Sequence, residues 1–182
     1  MKTRTIQLLL LLLDADVIID LHRLGIWKHV IKNHEIHIPS IILHREVYHY
    51  EDEKGRRYPI DLEKEVGVTI NELSCSAEEL LSFKEQFDRV FQEELHDGEK
   101  EALVLLQKQE DLLLCTCDHA AIKALALLDL SARGISFENL LKKTGINKKL
   151  EYKHTEKRYK RCLSEGSIMR IQERGLKKKN TE

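Results

Sequence analysis

The chain has 182 residues, 42% of them hydrophobic and 34% charged, with 8 Gly and 2 Pro. That length suits one ordinary domain with an appendage. The abundance of Leu, Ile and Val excludes collagen-like, mucin-like and Pro-rich disordered classes, because such a chain can bury a core. The formal charge of −1 conceals a split, since residues 1–141 carry 16 basic and 26 acidic groups whereas residues 142–182 carry 14 basic and 5 acidic.

The apolar run Gln7–Leu13, with six consecutive Leu, predicts a strand buried on both faces. It follows Lys2 and Arg4 as a signal peptide would, but Asp14-Ala15-Asp16 ends it without a small-residue cleavage pattern. It is also shorter than the roughly 20 residues of a membrane helix, so no membrane contact is expected. Val17, Ile18, Leu21, Leu24, Trp27, Val30 and Ile31 recur at helical spacing up to Lys32-Asn33. Glu35–Pro39 alternates as a second strand, and Ser40 is expected to cap a helix through about Tyr50. The polar stretch Glu51–Leu62, with Gly55 and Pro59, predicts an exposed excursion.

Gly67–Leu73 predicts a third strand. Ser76 and Glu79 form a capping box that opens a long helix to about Leu95, with Leu80, Phe83, Phe87, Val90 and Phe91 on its apolar side. Asp97-Gly98 breaks it and starts another helix, for which Asp97 is the expected N-cap. A strand over Asp111–Cys117, a helix over His119–Leu128, a short strand at Gly134–Ser136 and a Ser136-capped helix to Lys143 complete the pattern. A helix over His154–Ser164 and a disordered Leu176–Glu182 are expected beyond them. Alternation of strand and helix implies an α/β fold with a mostly parallel central sheet covered by helices on both faces. The expected division is a body over 1–145 and a basic, helical, partly disordered C-terminal extension over 146–182.

In parallel α/β sheets, functional groups gather beyond the carboxyl ends of the strands. Asp14 and Asp16 follow the first strand, Asp118 follows the strand ending at Cys117, and Glu46, Glu99 and Glu101 sit on intervening helices. Several segments therefore aim carboxylates at one edge. Clustered carboxylates repel, and a divalent cation relieves them; oxygen ligands with room for water suit Mg²⁺ or Mn²⁺. Metals so held activate water against a phosphodiester.

Leu12-Leu13-Asp14-Ala15-Asp16-Val17-Ile18-Ile19, then Glu46, then Asp97-Gly98-Glu99-Lys100-Glu101-Ala102-Leu103, then Leu114-Cys115-Thr116-Cys117-Asp118 resemble the PIN-domain nucleases, over roughly residues 6–144. The resemblance implies a three-layer α/β/α fold and a Mg²⁺- or Mn²⁺-dependent endoribonuclease. In-line hydrolysis would leave a 5′-phosphate and a 3′-hydroxyl. It also implies a toxin role, with an antitoxin protein as partner and room for a homodimer. It assigns Asp14, Glu46, Glu101 and Asp118 to catalysis and metal holding, with Glu99 the alternative third acid; Glu101 is favoured because it directly precedes the apolar face. Asp16 and Thr116 would support the metal shell. Residues 51–96 are longer than in the compact toxins, which leaves substrate choice and partner open.

The four Cys contain no C-x-x-C pair, so a disulfide scaffold and a zinc ribbon are excluded and a cytoplasmic location is expected. His34, His37, His44 and His49 lack metal-ligand spacing and are expected to be packing or surface residues; His119, beside Asp118, is the one His singled out for mutation. Asp20 is expected to be a favourable charge in the first helical turn. Cys115 and Cys117 are expected in the core. The basic extension offers phosphate contacts to RNA or a surface for an acidic partner. Two rival functions remain. A haloacid-dehalogenase-like phosphatase shares Asp14-x-Asp16 but would need Gly and Thr where Val17-Ile18 stand. A non-catalytic PIN-like module would bind RNA or protein.

Overall fold

The computed structural model describes residues 8–178; the start of the expected first strand at Gln7 and the tail at 179–182 lie outside the described residues. Five parallel strands form the central sheet: β1 (Leu10–Leu13), β2 (Glu35–Pro39), β5 (Ile70–Leu73), β6 (Leu113–Cys115) and β7 (Gly134–Ile135), in the order β5-β2-β1-β6-β7. The fold is thus mixed α/β, compatible with α/β/α layering. Alternation along β1 sends Leu11 and Leu13 into one core and Leu12 into the other. The first core is closed by α1 (Ala15–Arg23), α2 (Trp27–Asn33), α3 (Ser40–Arg45) and α8 (Phe137–Lys143). The second is closed by α4 (Ala77–Lys84), α5 (Arg89–Glu94), α6 (Asp97–Lys108), α7 (His119–Leu127) and α9 (Glu156–Ile171). Among the described residues, no helix is long and apolar enough to cross a membrane.

The chain runs from β1 outward through β2 to β5, then returns to β1's other side for β6 and β7. The connections leaving β1 and β6 therefore depart in opposite directions, α1 covering one face and α7 the other. The strand order thus reverses between β1 and β6, and the carboxyl ends at such a switch point are where ligands bind in open α/β sheets.

Several elements differ from the sequence expectation. The single helix expected over Val17–Ile31 is two, because Gly25 adopts φ +68°, a conformation that suits glycine. Ser40 does not cap α3; its hydroxyl donates to Glu72 instead, and the helix ends at Arg45. The polar excursion contains a hairpin, β3 (His49–Glu51) with β4 (Arg57–Pro59), antiparallel and closed around Asp52, which accepts the Lys54 and Arg56 amides. The long helix after Ser76 has the expected capping box but breaks before Asp88, which caps α5 through the Phe91 amide. Phe83, Phe87 and Phe91 still fill the second core, while Val90 is exposed. Asp97 opens α6 as its first residue, with His96 in the cap position.

The basic C-terminal segment is packed on the body. Ile146 and Leu150 lie on the first core, Tyr159 and Cys162 are buried in the second, and Gly166 approaches so closely that a Cβ there would sit 2.5 Å from the Lys123 carbonyl oxygen. Helix α9 begins at Glu156, capped by Thr155, and runs a turn or more beyond the expected end at Ser164. Leu176, expected to be disordered, forms a bridge to Phe87. Asp20 is in the second turn of α1, not the first, and is only 3% exposed. It receives His154 at 2.5 Å, Arg23 at 2.8 Å and Lys153 at 3.0 Å, and so ties this segment to α1. Burial opposes its charge, but the bonds from His154 and Lys153 hold the Asp20 carboxyl down at about 2.

Candidate functional site

Asp14 directly follows β1 and caps α1, its Oδ1 accepting the Ala15 amide at 2.8 Å. Its Oδ2 accepts the Thr116 hydroxyl at 2.7 Å, and that hydroxyl oxygen accepts the Asp118 amide at 3.0 Å. Asp118 in turn caps α7 through the Ala121 amide at 2.8 Å. One buried threonine therefore couples the carboxyl ends of β1 and β6, and the T-x-D spacing lets the Thr116 hydroxyl donate to the Asp14 carboxylate while it accepts the Asp118 backbone amide. Asp14 is 5% exposed, and burial pushes its carboxyl up to about 7; the Asp16 and Asp118 charges add to this, while the Thr116 and Ala15 bonds oppose it.

Glu99, 7% exposed on the first turn of α6, is likewise pushed up to about 7, by burial first and then by the charges of Asp118 and Asp14. Its Oε2 accepts the His96 amide at 2.9 Å. Glu46, at the end of α3, accepts the Gly98 amide at 3.2 Å, and burial raises its carboxyl, as do Asp97 and Asp16. Gly98 makes this approach feasible: a Cβ there would sit 2.6 Å from both Glu46 oxygens. Asp16, exposed on the first turn of α1, contributes its charge to both Asp14 and Glu46. The exposed His96 ring is raised by Glu99, Asp118 and Glu46, and so faces the same acidic field.

Glu101 is placed differently. It is 2% exposed, and its oxygens accept the Ile41 amide at 2.7 Å and the Cys75 amide at 3.3 Å, at the ends of β2 and β5. Burial raises it, with Glu72 and Glu46 adding to the effect. Asp14, Glu99 and Asp118 thus share one field, Glu46 and Asp16 adjoin it, and Glu101 braces α6 against two loops. The i, i+2 spacing of Glu99 and Glu101 points them to different sides of the helix. Among the described residues, no three His, Cys, Asp or Glu side chains are drawn together into a ready-made metal cage.

Three contributions lay outside the sequence reasoning: the close approach of Gly98 to Glu46, and the places of His96 and Arg158. Gly98 carried a signal, since a glycine at a helix start invites close approach; His96 and Arg158 carried none that is local. Arg158 Nη1 donates to the Cys117 carbonyl at 2.7 Å, bringing α9 to the edge of the site. His119 bonds Glu165 of α9 at 2.6 Å. His34 meets Thr144 at 2.8 Å and is buried, and His44 pairs on the surface with Glu63 and Glu72. Cys115 and Cys117 are buried.

No family model, curated protein or solved structure matches the chain. The donor set suits a hard dication: the acids offer oxygen only, and two of them are held near 7, so each proton lost at neutral pH leaves a buried charge that a cation would offset.

Proposed function

We propose that the chain is a Mg²⁺- or Mn²⁺-dependent endoribonuclease of the PIN-domain type. The observation that carries this reading is the Asp14–Thr116–Asp118 link at the point where β1 and β6 diverge, with Glu99 in the same field. In this reading Asp14, Asp118 and Glu99 hold the cation, with Glu46 and Asp16 at its margin. A bound dication supplies Lewis acidity toward a phosphoryl oxygen and a water of lowered pKa. Thr116 fixes the Asp14 rotamer and keeps Asp118 in register. The Gly98 amide restrains Glu46 so that its charge stays directed at the crevice. Glu101 keeps α6 in place without touching the reacting groups. The toxin role, the antitoxin, the homodimer and the cytoplasmic location remain part of this proposal.

The purified chain is expected to cut single-stranded RNA with Mg²⁺ or Mn²⁺, to stop with chelator, and to lose activity in Asp14→Asn. Cleavage that persists unchanged in Asp14→Asn would refute the assignment.

A further inference from the structure

We infer that Tyr152, Arg158 and Arg161 form a track that holds a single-stranded RNA beside the carboxylates. The substrate class rests on the nuclease reading, while the placement of the three side chains does not. Arg158 spends one N–H on the Cys117 carbonyl, one residue before Asp118. Among the described residues its other guanidinium donors have no partner. A guanidinium offers five donors in a planar fork that matches phosphate oxygens. One bond to a carbonyl anchors the group, and the remaining donors stay available beside the strand end that leads into Asp118.

Arg161 lies about one turn further along α9, so the two side chains are neighbours on one helix face. It is oriented by Glu165 at 3.0 Å, and Glu165 is itself bonded to His119, the first residue of α7. Both arginines therefore flank the helix that Asp118 caps. Tyr152, a residue 54% exposed, is hydrogen-bonded to Arg161, which leaves an aromatic face open to a base. Cations next to a stacking ring are the common means of holding single-stranded nucleic acid. Lys153, although nearby in sequence, turns its single ammonium to the buried Asp20 of α1 and is not part of the track, whereas Arg161 meets Glu165 through Nε and its planar fork has further donors. The cations also answer an electrostatic need, because a phosphate approaching the acids is repelled unless positive charge lines its path.

The test uses the full chain and a fluorescent single-stranded RNA oligonucleotide, with chelator present so that nothing is hydrolysed, and follows anisotropy at several salt concentrations. Arg158→Ala, Arg161→Ala and Tyr152→Ala are each expected to weaken binding about tenfold. Each arginine removed should lower the slope of log affinity against log salt by about 0.7. Arg158→Lys and Arg161→Lys should retain that slope, and Tyr152→Phe should bind as the wild type does. If Arg158→Ala fails to fold, Arg161 and Tyr152 carry the test, because both are exposed. Wild-type affinity and slope in Arg161→Ala and Tyr152→Ala would overturn the track, as would polyglutamate binding as tightly as RNA through the same residues. Mg²⁺-dependent cleavage with silent track variants would overturn the track alone. Binding through the track without cleavage would support it and defeat the nuclease reading instead.

Discussion

Asp14→Asn should stabilise the metal-free protein strongly at pH 8 and only slightly at pH 5. In the folded chain the Asp14 carboxyl titrates near 7, against an ordinary 3.8. Below 3.8 both folded and unfolded forms are protonated, and the group has no effect on stability. Between 3.8 and 7 the unfolded chain has lost the proton that the folded chain still holds, so stability falls as pH rises and levels off above 7. A difference of about three pH units at about 1.4 kcal/mol each makes the buried charge cost about 4 kcal/mol at pH 8. Asparagine removes that cost. It also has one acceptor oxygen where Asp14 uses two, one for Ala15 and one for Thr116, so one bond worth about 1 kcal/mol is lost. The net gain at pH 8 is about 3 kcal/mol, and for a chain of this size each kcal/mol moves Tm by about 2–4 °C. At pH 5, about one unit above the ordinary value, the same reasoning leaves a cost of only about 2 kcal/mol, so after the lost bond the net gain falls below about 1 kcal/mol. Thermal melts in chelator at the two pH values measure this. A destabilisation of equal size at both would refute the buried-charge reasoning.

Four further substitutions follow from the structure. Gly98→Ala would put a Cβ 2.6 Å from the Glu46 oxygens and 2.7 Å from Ile42 Cγ1, so it should cost about 1–3 kcal/mol in a denaturant titration and reduce cleavage at least about tenfold. Glu99→Gln should abolish metal-dependent cleavage with little loss of Tm, whereas Glu101→Gln should lower Tm through the Ile41 and Cys75 amides and leave the cleavage of the folded fraction largely intact; the opposite pattern would make Glu101 the metal-holding acid. Asp20→Asn should destabilise by about 2 kcal/mol at pH 7, because the native carboxyl near 2 lies below its ordinary 3.8. That stability is present above 3.8 and is lost as pH falls toward 2, so urea midpoints of variant and wild type should converge on acidification.

The strands were legible because period and polarity are local: Glu35–Pro39 is a strand with the expected bounds, and the Ser76 capping box and Ser136 cap are present as expected. What the sequence concealed depends on contacts made across the chain. The expected long helix gives way at Gly25, where an apolar periodicity continues straight through a backbone reversal. The choice between Glu99 and Glu101 turns on which side of α6 meets β1 and which meets the β2 and β5 loops, and adjacency to an apolar run does not encode that. The acids at Asp14 and Asp118 were visible from their positions after strands, but their coupling through Thr116 required β1 and β6 to be neighbours. The basic segment is the largest difference, because composition signals solvation while Tyr159, Cys162 and the Asp20 anchor fasten it to the body. Its removal would expose that core and leave Asp20 without two of its partners, so single substitutions on α9 test RNA contact more cleanly than truncation does.

The central claim is that Asp14, Asp118 and Glu99 together hold a hard dication. A crystal soaked in Mn²⁺ and measured at the manganese absorption edge tests it most directly. The account predicts an anomalous peak bonded to Asp14 and Asp118 oxygens, with Glu99 directly or through water, and no peak there in Asp14→Asn. A fully occupied manganese elsewhere, with this crevice empty, would contradict it.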